Sequence, residues 1–90
     1  AEAAALGIIN RVFPDSDFRE QARAYALRIA QGPTTALRFM KKNIHTAATR
    51  DLATTMDLEA DHMLRAFATE DSREAIAAFR EKRPPTFRGR

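Results

Sequence analysis

Between Asp15 and Pro85 the chain is divided by residues that start or stop helices, and this punctuation limits its folds more than any other feature. Gly32-Pro33 ends one helix and opens the next, since Gly accepts the closing turn and Pro lacks an N–H that the first helical turn leaves unpaired. Asp17 and Glu20 stand at capping-box spacing before the first stretch, and Asp51 is placed to cap the third. Thr69-Glu70-Asp71-Ser72 puts cap side chains and acidic charge where the dipole of a fourth helix, near residues 72–82, favours them. Pro84-Pro85 stops that helix, and Thr86–Arg90 is expected to be extended. The intervening loops are about two to five residues long, which favours antiparallel neighbours.

Each stretch carries an apolar stripe at helical spacing. The first shows Phe18, Ala22, Tyr25, Ala26 and Ile29; the second shows Leu37, Met40, Ile44 and Ala47 or Ala48, with Arg38, Lys41 and Lys42 nearer the outside. The third has Leu52, Met56, Met63 and Phe67, and the fourth has Ile76 and Phe79. Upstream, AEAAAL reads as a helix end closed at Gly7, and Ile8–Phe13 is a β-prone run ended by Pro14. A lone strand has nothing to pair with, so it is either irregular or completed by other sequence. The expected fold is mainly α: about four helices in a small helical domain over 15–90, preceded over 1–14 by a helix end and a short strand-like segment.

Ninety residues make one small unit, marginal as a lone domain, and the first residue is Ala1 rather than Met, which admits an excised or processed piece. Without cysteine there is no disulfide framework, thiolate nucleophile or zinc–thiolate site, which is compatible with a reducing cytoplasm. No apolar run reaches the roughly 20 residues of a membrane helix. The net charge is +3, and residues 80–90 hold five basic residues against Glu81 alone, a local charge of +4. The high isoelectric point is thus read as the property of one tail, a natural partner for phosphate or simply a solvated terminus.

Candidate chemistry is sparse. His45 and His62 lie in no metal-binding spacing and read as surface residues; Ser16 and Ser72 read as cap-region residues. The three glycines are scattered, so no phosphate-cradling loop exists, and basic residues alternating with acids do not suit nucleic acid. Glu59 falls on the third stripe, where a carboxylate needs a partner; an ion pair with Arg28 or Arg38 is the simpler reading than acid–base chemistry. Phe79 and Lys82 are spaced i, i+3 at the end of the last helix. An aromatic ring beside an ammonium can stack on a purine while the charge meets phosphate, although a structural Phe and a solvated Lys remain the plainer pair.

Three strings carry a resemblance. Asp71-Ser72-Arg73-Glu74-Ala75-Ile76-Ala77-Ala78-Phe79-Arg80-Glu81-Lys82-Arg83-Pro84-Pro85-Thr86-Phe87-Arg88-Gly89-Arg90 resembles the C-terminal signature of the enoyl-CoA hydratase/isomerase (crotonase-like) family. GIINRVFP resembles that family's glycine-hydrophobic segment, and Gly32–Asn43 resembles its GPTxALRxMKxN helix. Together with Glu59 these span essentially all ninety residues in register, with Ala75 standing where many members carry Gly. The resemblance implies an enzyme of acyl-CoA thioesters, hydrating a 2-enoyl-CoA or shifting its double bond. It places the family's oxyanion hole and acid–base glutamates upstream of Ala1, so the chain alone is expected to hold no catalytic residue and to be inactive. It also implies a homo-oligomer, trimer or hexamer, with Phe79 and Lys82 as CoA-binding residues. No metal, no cofactor beyond the CoA of the substrate, no nucleic acid and no membrane are expected, in a cytoplasmic setting. The rival expectation is a stand-alone helical interaction module whose basic tail binds an acidic partner.

Overall fold

The computed structural model describes residues 2–90, so the opening helix is seen from Glu2 and Ala1 lies outside the described residues. Five helices follow in order: α1 (Glu2–Ala5), α2 (Phe18–Ala30), α3 (Thr34–Ala47), α4 (Leu52–Phe67) and α5 (Glu70–Glu81). Among the described residues none is in a strand. The β-prone run 8–13 is irregular here, since there is no neighbouring strand to accept its ladder hydrogen bonds.

Local chemistry accounts for most helix ends. Gly7 closes α1 at φ +73°, with Ile8 N–H donating to the Ala3 carbonyl at 2.9 Å and Gly7 N–H to that of Ala4 at 3.1 Å. Those paired bonds define a Schellman turn, which needs the left-handed residue that Gly provides without penalty. Asp51 caps α4, accepting from Thr54 N–H at 2.9 Å and from the Thr54 hydroxyl at 2.7 Å. Those two bonds hold the Asp51 carboxyl below the ordinary range of such groups. Thr69 caps α5 through its hydroxyl, which accepts from Ser72 N–H at 3.1 Å. The capping box expected at Asp17 does not form: its carboxylate accepts from the Gln21 side chain at 3.4 Å and makes no bond to the α2 backbone.

Packing departs from the expected stripes in an informative way. The helices that pack are α3 on α4 and α4 on α5. The buried or half-buried residues are Thr35, Ala36, Phe39, Asn43 and Thr46 on α3 and Thr55, Leu58, His62 and Ala66 on α4, with the Asn43–His62 and Phe39–His62 contacts joining the two helices. The larger stripe of α4, Leu52, Met56, Met63 and Phe67, lies on the other side, each residue between 54% and 75% exposed. Leu37, Met40 and Ile44 of α3 are likewise open, as are Phe18 and Ile29 of α2. The α3–α4 contact is thus a Phe39–His62 stack flanked by small residues and Leu58, while the other bulky residues lie outside it. A helix apolar around most of its circumference belongs between two packing partners, and here one side has its partner.

The global dimensions agree. The fold is a slab of 43 × 40 × 18 Å with a radius of gyration of 16.7 Å, where a compact chain of this length has about 12 Å. It exposes 7648 Å², roughly 2,400 Å² more than a compact monomer of its mass. Among the described residues only Ala78 is a fully buried apolar residue, at 1% exposure, beside the buried polar residues His62 and Asp71.

Candidate functional site

The two residues expected to bind CoA meet at the C-terminal end of α5. Phe79 sits in the last helical turn, 85% exposed. Lys82 follows the helix with φ 54° and ψ 38°, the single described non-glycine residue at positive φ. Its N–H donates to the Phe79 carbonyl at 3.3 Å, and Arg83 N–H donates to the Ala78 carbonyl at 3.0 Å. These are the same paired bonds that Gly7 completes in α1, now built on a lysine. A side chain in this conformation costs about 1–2 kcal/mol. The helix end therefore tolerates strain at a position where glycine would close it more cheaply, a pattern that accompanies functional residues. The i, i+3 spacing thus describes neighbours across a helix end rather than two residues of a continuing helical face.

What fixes this end is the tail, which is strapped back along α5. Asp71, 4% exposed, accepts from Arg88 N–H at 2.7 Å and Gly89 N–H at 2.8 Å, while its own N–H donates to the Arg90 carbonyl at 3.0 Å. The Thr35 hydroxyl donates to the Gly89 carbonyl at 2.7 Å, which ties the tail to the first turn of α3. Gly89 has φ +76°, and a Cβ there would meet the Thr34 hydroxyl at 2.6 Å, so both conformation and space call for glycine. Nearer the helix, Glu74 accepts both guanidinium nitrogens of Arg83, at 2.6 and 2.9 Å, and Thr86 N–H at 2.8 Å. Those bonds, Arg83 first, hold the Glu74 carboxyl down to about 2 and raise the Arg83 guanidinium above its ordinary value. The tail is extended as expected, but it is anchored rather than frayed. Much of its charge is also engaged: Arg83 pairs with Glu74 and Glu81, and Arg90 pairs with Glu70 at 3.0 Å.

The other candidates sort differently. Glu59 is exposed, and among the described residues it is in no ion pair, with neither Arg28 nor Arg38. The stripe 52/56/63/67 that contains it faces out, which is why the carboxylate needs no partner. His62, expected at the surface, is 5% exposed. Its Nδ1 lies 2.5 Å from the Asn43 Oδ1, and its ring stacks on Phe39 at 4.7 Å and 17°. It is a core residue of the α3–α4 contact, detectable only by reading 58, 62 and 66 as a stripe. His45 is exposed, as expected. No group of three metal-ligating side chains occurs among the described residues, and no described helix is long and apolar enough to cross a membrane.

The family model described as enoyl-CoA hydratase/isomerase matches residues 1–90, the whole chain. The chain belongs to the enoyl-CoA hydratase/isomerase family. A probable enoyl-CoA hydratase of Rhodobacter capsulatus is 40% identical over 89 residues, covering 99% of this chain and 35% of the relative. The 1,2-epoxyphenylacetyl-CoA isomerase of Escherichia coli is 36% identical over 89 residues, again 99% of this chain and 34% of the relative. Among solved structures, an enoyl-CoA hydratase from Bacillus anthracis superimposes with a TM-score of 0.87 at 31% identity, over 99% of this chain and 34% of that one. The chain thus spans about a third of the length of the relatives it matches, and the match covers the slab, the Lys82 helix end and the strapped tail alike.

Proposed function

We propose that this chain is the helical C-terminal part of an enzyme acting on acyl-CoA thioesters, and that Phe79 and Lys82 meet the CoA end of the ligand. The observation that carries the reading is the combination of a full-length family match with a bared aromatic ring beside a lysine held at a strained helix end. A ring in this position offers a face to the adenine, worth about 1–3 kcal/mol by analogy with base stacking, and the ammonium offers a charge to phosphate. Hydration of a 2-enoyl-CoA is the first reading of the reaction, supported by the relatives named hydratase. Double-bond isomerisation is the second, favoured by the Escherichia coli relative, which is named an isomerase.

In this reading residues 1–14 finish the catalytic core and residues 15–90 form the helical region that covers it and carries subunit contacts. The outward stripes of α3 and α4 leave apolar surface to be covered by the rest of the enzyme and by subunit partners, in a trimer or hexamer. A single exposed carboxylate with no nucleophile or oxyanion donor beside it is not an active site, so the chain by itself is expected not to turn over substrate. The enzyme needs no cofactor beyond the CoA carried by its substrate, and we place it in the cytoplasm, a setting with which a cysteine-free segment is compatible. The test is an assay of a short-chain 2-enoyl-CoA with the intact protein and with residues 1–90 alone. Turnover by the intact protein and none by the segment is the expected result; turnover by the segment refutes the division of labour.

A further inference from the structure

We propose a second anion site, on α3, that receives a phosphate-bearing small molecule. Arg38, Lys41, Lys42 and His45 are spaced i, i+3, i+4 and i+7, which places them on one face of α3, and Thr46 at i+8 continues that face. The turn after the helix brings a further cation to its end: Thr49 and Arg50 N–H both donate to the Thr46 carbonyl at 3.0 Å. These residues line an open groove of about 500 Å³, within the range of small-molecule sites. Residues 34–50 contain four Lys and Arg and no Asp or Glu. Among the described residues, none of the four takes part in an ion pair.

The pattern is not that of an ordinary solvated face. The other long helices mix signs, as in the Asp61–Arg65 pair of α4 and the acids and arginines of α5. On α3, Arg38 with Lys42 and Lys41 with His45 set like-charged or chargeable groups at i, i+4, which destabilises a helix by a few tenths of a kcal/mol per pair. A cation near a helix C-terminus answers the dipole, but that effect fades within the last turn, and Arg38, Lys41 and Lys42 lie before it. The surplus is left for a ligand. Two guanidinium forks, two ammonium groups and a threonine hydroxyl suit clustered phosphate oxygens better than single, spaced carboxylates. On the tail, Glu70, Glu74 and Glu81 take up Arg90 and Arg83, whereas α3 carries no acid to take up its cations.

The test uses the intact protein and inorganic pyrophosphate as the probe, followed by calorimetric titration at low salt. Binding on the order of 1 mM or tighter is expected, and Lys41→Glu with Lys42→Glu should weaken it at least about tenfold. Both positions are exposed, and Glu and Lys have similar helix propensity; unchanged far-UV circular dichroism verifies the fold. The milder Lys41→Gln, Lys42→Gln pair should weaken binding about threefold or more. Three results would overturn the proposal: no binding by the native protein, affinity unchanged in both double variants, or equal affinity for a glutamate-rich peptide of the same charge. Pyrophosphate binding that falls with Lys82→Ala but not with the α3 variants assigns the anion to the CoA end instead, which also overturns the α3 site while leaving the proposed function standing.

Discussion

Replacing Asp71 by alanine removes the acceptor on which the tail is latched. In the native fold its buried carboxylate takes the N–H groups of Arg88 and Gly89 at 2.7 and 2.8 Å. Hydrogen bonds to a charged group contribute about 1.5–3 kcal/mol each. Because the released tail can give its two N–H groups to water, the lower end applies, and the pair together is worth about 3 kcal/mol. The loss should appear as local opening, since Ala is a better helix former than Asp and α5 keeps its Thr69 cap. Amide hydrogen exchange in the intact protein should therefore accelerate roughly 150-fold at Arg88 and Gly89, with little change in α4. Asp71→Asn keeps one acceptor oxygen and should accelerate exchange by only about tenfold. Exchange at these two amides within about threefold of native in Asp71→Ala would show that the tail is held by something other than this carboxylate.

Other expected outcomes concern the same helix end and strap. Lys82→Gly relieves the left-handed conformation and should stabilise the intact protein by about 1 kcal/mol in urea unfolding while weakening CoA binding. Gly89→Ala should loosen the tail by about 1–2 kcal/mol, seen as faster tryptic cleavage at Arg88, because the conformation at φ +76° disfavours a side chain and Thr34 must move. Glu74 has a folded pKa depressed from 4.5 to about 2, so its contribution is fully present above about 4.5 and fades as the pH falls toward about 2. The Thr86 amide chemical shift should titrate near the lower value in the native protein and lose that transition in Glu74→Gln.

Helix positions were largely legible because they are written in short-range chemistry. Asp51, Thr69 and Gly7 act through bonds to residues within five positions, and Gly32-Pro33 and Pro84-Pro85 act through their own backbones. Which face of a helix is buried was not legible, because α3 and α4 each carry two apolar faces. The bulkier one reads as core, yet the α3–α4 contact is made by alanines, threonines and Leu58 around a Phe39–His62 stack. The burial of His62 was hidden for that reason, and so was the exposure of Glu59. At the site, the pairing of Phe79 with Lys82 was visible as spacing. The strained backbone of Lys82 was not, because a lysine there gives no local sign that it will occupy a glycine's conformation. The latch was hidden too, since Asp71 reads as a helix N-terminal acid and its tail partners lie seventeen and eighteen positions away.

The most direct test of the CoA assignment is a calorimetric titration of the intact protein with CoA, comparing native, Phe79→Ala and Lys82→Ala forms. Both residues are exposed at a helix end, and alanine at 82 meets much the same backbone cost as lysine, so the fold should be retained. A loss of about 1–3 kcal/mol, or roughly 5- to 150-fold in affinity, is expected for Phe79→Ala. Lys82→Ala should cause a smaller loss that shrinks as salt is raised. CoA affinity unchanged in both variants would refute the assignment and remove the end of α5 from the ligand site.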